Sequence, residues 1–375
     1  MNLIQFINRK LFGKVSAPGL VFLLFFLGTS TILAENYTNL LSQADKKFKQ
    51  KNYKQALKYC NEAILLDVSN FLGYAKRGSL YLQTKKYDKA QKDFNEGVRL
   101  ATNSFQLGYA YLYRGYFYHQ TTNYEKAVDD YSKAIQIDGP SAAAYLDRAG
   151  SYISEGRYDP AIIDCNMAIL LNPTKPEAFG AKGFAYQSKK EFDKAIEAYS
   201  KAINLDTNYI ATYMARAACY VEKDDYANAI ADYSRVVQLD KTNAVAYAVR
   251  GLCHSREGDF KRGIEDCQKG EQIDKNCFIA HNNLAWLLAI APQAELRDGK
   301  KAVKHATRAC ELTSWKEAYC LGTLAAGYAE IGKFDEAIKW EQKCIQIGLP
   351  KEKEMLQARK ELDLFKQKKP YHAEK

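Results

Sequence analysis

Four kinds of motif are missing from the 375 residues: His-Glu-x-x-His, Gly-x-Ser-x-Gly, a Walker phosphate loop and a dinucleotide fingerprint. Their absence removes the short signatures by which common hydrolytic and nucleotide sites are read. No catalytic constellation replaces them, so an enzyme is not expected. Cys-x-x-Cys is also missing, and the nine cysteines are odd in number, which argues against a disulfide framework. His254, Cys267, Cys277 and His281 can be imagined around a metal, but they lack paired ligand spacing. Neither a metal nor a cofactor is therefore expected. Beyond residue 34 no stretch is apolar for long enough to span a bilayer. The formal charge of +10 is interspersed along the chain and is not gathered in blocks, apart from a lysine-rich end. That distribution fits a solvated surface, and no nucleic-acid partner is expected.

What the sequence does contain is repetition. "YAKRGSLYL" at 74 is echoed by "LYRGYFY" at 112, "YLDRAGSYI" at 145, "FGAKGFAYQ" at 179, "YMARAACYV" at 213 and "YAVRGLCHS" at 247. Arg114, Arg148, Lys182, Arg216 and Arg250 follow one another every 34 residues, and a three-residue insertion near 105–107 separates them from Arg77. A period this regular implies one array whose core grows repeat by repeat. Within a unit such as 142–175, apolar residues recur at helical spacing in two blocks, broken at Glu155-Gly156-Arg157 and stopped at Asn172-Pro173. Each unit therefore reads as a helical hairpin. Small residues occupy two positions of close helix approach in every unit, as in Gly115/Ala127 and Ala149/Ala161, and an aromatic such as Tyr124 or Tyr158 precedes the second by three.

Period, small pairs and aromatics together resemble the tetratricopeptide repeat (TPR) over residues 37–350. The resemblance implies an all-α fold, a right-handed α-solenoid of about nine stacked hairpins. The units fall near 37–70, 71–104, 108–141, 142–175, 176–209, 210–243, 244–277, 278–313 and 318–350. It also implies a non-enzymatic scaffold that binds a protein or peptide along a concave groove lined by first helices. An accessory subunit serving a separate catalytic chain is the alternative. Two departures stand out: only Pro173 keeps the usual helix-ending proline, and the unit at 278–313 carries a five-residue insertion around "APQAELRDG". In the TPR register the groove-facing residues are Leu82, Tyr109, Leu112, Tyr116, Leu146, Ile153, Phe184, Met214, Val221, Val245, Leu252 and Trp286. Several could equally pack between units. The Lys and Asn that clamp a terminal carboxylate in some TPR domains are replaced here by residues such as Gly180, Phe184, Met214 and Ala218, so that role is not carried over.

Sixteen residues after the arginines lie aspartates, giving Arg77/Asp93, Arg114/Asp130, Arg148/Asp164, Arg216/Asp232 and Arg250/Asp266. Units without the arginine lack the aspartate too, which points to structural ion pairs of partly buried charges within each hairpin. A row of arginines gripping an acidic ligand is the alternative. The cysteines read as small core residues with mostly free thiols, Cys253 with Cys267 being the best-placed exception.

At the N-terminus, Arg9, Lys10 and Lys14 precede "GLVFLLFFLG" and "TSTILA", the layout of a signal peptide over 1–34 cleaved after Ala34. An uncleaved anchor is the alternative. The chain is thus expected to be exported, periplasmic or secreted, in a bacterial envelope, or else held at the inner membrane by this segment, its only membrane contact. At the other end, Met355, Ala358, Leu362 and Phe365 share one face of a helix, so residues 351–375 are expected to form an amphipathic cap and basic tail on the last hairpin.

Overall fold

The computed structural model describes residues 17–139 and 141–374, with side chains from Leu33 onward, Asp138 and Pro140 excepted. The described residues form 19 α-helices, one 3-10 turn and no strand. They divide at Pro173/Thr174 into two compact units. In the first, α1 (Ala17–Lys49) pairs with α2 (Tyr53–Leu66), α3 (Phe71–Gln83) with α4 (Tyr87–Leu100), α5 (Ser104–Gln120) with α6 (Tyr124–Asp138), and α7 (Ala142–Ser154) with α8 (Tyr158–Leu171). In the second, α9 (Pro176–Ser188) pairs with α10 (Phe192–Leu205), α11 (Ile210–Glu222) with α12 (Tyr226–Leu239) and α13 (Ala244–Arg256) with α14 (Phe260–Ile273). There follow α15 (Phe278–Ile290) with α16 (Gly299–Leu312), α17 (Ala318–Glu330) with α18 (Phe334–Ile347), and a single helix, α19 (Glu352–Lys366), packed on α18. The candidate export signal falls partly on residues 1–16 and on side chains up to 32, which lie outside the described residues. Among the described residues no helix is long and apolar enough to cross a membrane.

Eight of the nine hairpins turn on one residue with positive φ, Lys51, Lys85, Thr122, Gly156, Lys190, Asp224, Gly258 or Gly332, while α15 and α16 are joined through the 3-10 turn Ala294–Leu296. A left-handed residue there lets the next amide reach back five residues, as Lys86 donates to the Tyr81 carbonyl at 2.8 Å and Asp225 to that of Tyr220 at 2.9 Å. These bonds satisfy carbonyls that a helix end would otherwise leave unpaired. The second helix often starts on a side-chain cap, with Asn52, Asn123, Asp225 and Asp259 accepting from amides three residues on. Between hairpins, the missing prolines are replaced by aspartates that fold the chain on themselves. Asp67, Asp206, Asp240 and Asp274 each accept the amide two residues later at 2.9–3.0 Å.

Inside each hairpin the small position of the first helix meets the residue sixteen further on. Gly78 and Gly115 lie against the rings of Phe94 and Tyr131, where an added Cβ would come within 3.0 Å or less. Ala149, in contrast, stands sixteen residues before the smaller Cys165, and both are fully buried. This exchange of volume is not general, since Ala217 stands sixteen residues before Tyr233 and Gly251 before Cys267. All nine cysteines are buried. Cys253 and Cys267 are unbridged thiols, and burial pushes Cys253 up to about 12, so neither is a ready nucleophile.

Candidate binding surface

The five arginines are held from three sides. In each, Nε and Nη2 donate to the two carboxylate oxygens of the aspartate sixteen residues on, at 2.7–2.9 Å. The remaining nitrogen, Nη1, donates backwards to the second helix of the preceding hairpin: to Asn61, Asn95, Ser132, Ser200 or Ser234, at 2.8–3.1 Å. Tyrosines one turn away on the same helix, such as Tyr111 and Tyr118 around Arg114, stack at 5.3–6.0 Å.

The arginines are half-buried, and their carboxylates lie deeper. Asp93 and Asp130 are buried outright, at 6 and 2% exposed, and so are Asp164 and Asp232; Asp266 is half-buried. The physical reason is the small residue beside each pair. Gly78 and Gly115 let α3 and α5 close onto their second helices, and the aspartate is shut between them under its own guanidinium. Asp93 and Asp130 are therefore interior groups whose oxygens are taken by Arg77 and Arg114, and no ligand can reach them. With Nε, Nη2 and Nη1 each engaged internally, the arginines join two hairpins, an arrangement that favours the structural role over the grip on an acidic ligand.

The twelve residues assigned to the groove scatter. Tyr109, Tyr116 and Phe184 stand 41, 42 and 50% exposed. Leu112, Leu146, Ile153 and Leu252 are half-buried. Met214 and Val221 pack on the core around Tyr213 and Val236, and Val245 on Ala244 and Cys277. Leu82 requires correction: it sits in the core with Ala90, Phe94 and Phe117, because the last turn of α3 is covered by the neighbouring hairpin. Phe105, next to Tyr109 with ring centroids 4.7 Å apart, is 60% exposed and was not singled out by the repeat pattern, since it belongs to the three-residue insertion.

Trp286 is covered by the chain's own end. Tyr371 stacks on it at 6.2 Å, His372 Nε2 meets Glu330 Oε2 at 2.7 Å, and the Ala373 amide donates to the Ile290 carbonyl at 2.8 Å. The insertion of this unit supports that seat: Arg297 donates to the other Glu330 oxygen at 2.9 Å and to the Ala291 carbonyl at 2.8 Å, while Leu296 and Tyr371 pack against the same buried cluster. Upstream, Lys351 and Lys353 pair with Glu222 and Asp224 at 2.9 Å, and Tyr319 donates to Glu354 at 2.6 Å. The C-terminal segment therefore lies against the first helices α11, α15 and α17 as well as on the last hairpin. Its helix is less simply amphipathic than expected. Phe365 and Ala358 are buried as the spacing requires, but so is Glu361, opposite Glu341 of α18.

Burial raises both carboxyls, Glu341 to about 9, helped by Glu361 nearby, and Glu361 to about 7, against a lowering bond from Gln357. Their neighbours Cys344 and Tyr371 are also raised by burial.

With this geometry in place, the comparisons define the class. Family models described as tetratricopeptide repeat match residues 73–104, 105–140, 176–209 and 210–243. Those four stretches are tetratricopeptide repeats, and the described residues have an all-α fold of consecutively paired helices. No curated protein matches the sequence. Among solved structures, the C-terminal part of a TPR repeat-containing protein from Cytophaga hutchinsonii is 21% identical, covering 65% of this chain and 99% of that one with a TM-score of 0.50. PilF of Pseudomonas aeruginosa is 17% identical, covering 56% and 94%, with a TM-score of 0.48. A tetratricopeptide repeat protein from Parabacteroides merdae is 18% identical, covering 67% and 98%, with a TM-score of 0.49. At such identities the likeness concerns fold alone.

Two outcomes are expected. Arg148→Ala leaves Asp164 buried without its cation and should cost about 3 kcal/mol, whereas Lys182→Ala, facing Ala198, should cost under about 1 kcal/mol. Urea midpoints of the two variants compare them, and equal small shifts would refute the structural role. For the buried carboxyls, the folded state favours the protonated form. Their stabilisation is full below the ordinary value of 4.5 and is lost as pH rises through about 7 and about 9. Protection from hydrogen exchange over 352–366, corrected for the intrinsic rate, should therefore fall between pH 5 and 9, and the double change Glu341→Gln, Glu361→Gln should flatten that dependence.

Proposed function

We propose that the chain is a non-catalytic scaffold that holds a protein or peptide partner on the face lined by its first helices, and that it works in a bacterial cell envelope. What supports the reading is the seat occupied by residues 371–373. There a short segment of polypeptide is gripped by an aromatic stack on Trp286, an acidic anchor at Glu330 and a backbone hydrogen bond at Ile290. These are the elements of peptide recognition: a side-chain platform, a charged end-stop and a main-chain contact. A partner segment with an aromatic residue followed by a basic one would take this seat by displacing the tail. In the first unit Phe105, Tyr109 and Tyr116 offer uncovered rings for further contact.

A labelled peptide of residues 366–375, added to a chain ending at residue 366, tests the seat. Saturable binding that weakens at least about tenfold in Trp286→Ala is expected, a loss of roughly 1.4 kcal/mol. A shortened chain that keeps its circular dichroism but ignores the peptide would defeat the proposal. Export rests on the layout of residues 1–34. The intact mass of the chain recovered from its own cells should begin at Glu35, and full-length protein confined to the cytoplasm would count against it.

A further inference from the structure

The unit at 278–313 is one of those without the arginine and aspartate, with Leu284 and His305 in their places. Two of its departures from the sister units meet in space with a third, on the second helix of the unit before. His305 of α16 stands where the preceding units have Asp266 and Asp232, His281 of α15 where they have Tyr247 and Tyr213, and Glu271 of α14 where earlier units have Val237 and Ile203. His281 Nδ1 lies 3.2 Å from His305 Nδ1, and Glu271 Oε1 lies 3.8 and 3.7 Å from those two atoms. A tetrahedral ion bonded at about 2.0–2.1 Å has ligand-to-ligand edges of about 3.3–3.4 Å. The observed triangle brackets that size.

The orientation is prepared as well. His281 is 5% exposed, and its Nε2 lies 3.0 Å from the Lys275 carbonyl, which can only accept. Nε2 therefore carries the hydrogen of the neutral ring, and Nδ1 keeps its lone pair towards the other two groups, the arrangement that outer-shell carbonyls impose on metal-bound histidines. Glu271 is half-buried, and the cluster opens onto a depression also lined by Gln272, Lys275, Asn276 and Arg308. Among the described residues, no other group of three His, Cys, Asp or Glu ligand atoms meets such spacing.

We propose that Glu271 Oε1, His281 Nδ1 and His305 Nδ1 bind a divalent ion of the zinc class, clipping together α14, α15 and α16 where the arginine clip is absent. Two imidazoles and one carboxylate are donors suited to Zn2+ and its neighbours, not to hard ions that require all-oxygen shells. The depression leaves the fourth position to water. The quartet imagined from sequence contributes only His281.

Zn2+ titrated calorimetrically into chelator-treated full-length chain should bind once, at micromolar concentration or tighter, and raise the unfolding temperature. Co2+ should give visible d–d bands without the intense near-ultraviolet band of thiolate ligation. Glu271→Gln and His305→Asn should each weaken binding at least about tenfold, with metal-free unfolding temperatures close to that of the parent, and Cys277→Ser should bind as the parent does. Absence of binding by the parent, unchanged affinity in both ligand variants, or a thiolate band would overturn the proposal. If the variants do not fold, the parent's Co2+ spectrum and stoichiometry decide alone.

Discussion

The arginine fork is the interaction on which the array depends, because a TPR hairpin cannot bury its own apolar faces and must be fixed to its neighbour. A guanidinium has five donors in a rigid plane. Two are spent on the aspartate of the same hairpin and one on the hairpin before, so a single side chain sets both the closure of a unit and its register on the next. Lysine could not do this, as a compact ammonium lacks the fork geometry. Where Lys182 stands, the partner position is Ala198, and the unit keeps only the contact of Tyr199 with Gly183 that arginine-bearing units also make, as Gly115 does with Tyr131. The cost of burying a carboxylate such as Asp130 is met only while the whole set is present, which is why arginine and aspartate are kept or lost together within the chain.

The clip engages three of the five arginine donors in the same way in every unit that has it, so what distinguishes one unit from another lies where the repeat pattern is interrupted. Both major interruptions fall in the unit at 278–313. Its five extra residues place Arg297 against Glu330, and Glu330 in turn holds His372. Its lost clip frees the positions that His281 and His305 occupy with Glu271. A periodic scaffold is uniform by construction, so an insertion or a substitution at a clip position is the cheapest way to give one repeat a chemistry of its own.

The legible part of the sequence was its periodicity. A spacing of 34 gave hairpins, and a spacing of 16 gave partners across each hairpin, including Arg148 with Asp164 and Ala149 with Cys165. The depth at which Asp93 and Asp130 lie was not legible, since spacing names a partner without saying how closely the helices shut over it. The backward bond of each arginine was missed because its acceptor varies between Asn61, Asn95 and Ser132, and no single residue type marks it. Leu82 was misplaced because register alone cannot separate a residue facing solvent from one under the next hairpin. The return of the tail was invisible for a stronger reason: Lys353 meets Asp224 across 129 residues, and no repeat predicts a contact made once.

The buried carboxyls sharpen what that return means. An ordinary end cap would place leucine where Glu361 lies, since a neutral hydrocarbon there would need no proton. Two acidic groups facing each other in a dry contact instead make the seating of α19 weaker as they ionise. The surface pairs of Lys351 and Lys353 are exposed and add little on their own. The tail at Trp286 follows directly from this helix, so whatever loosens α19 also loosens Tyr371. Phe365 and Ala358 give α19 an apolar seat, and the two carboxyls buried beside it make that seat depend on pH in a way that the arginine-clipped hairpins beneath it do not.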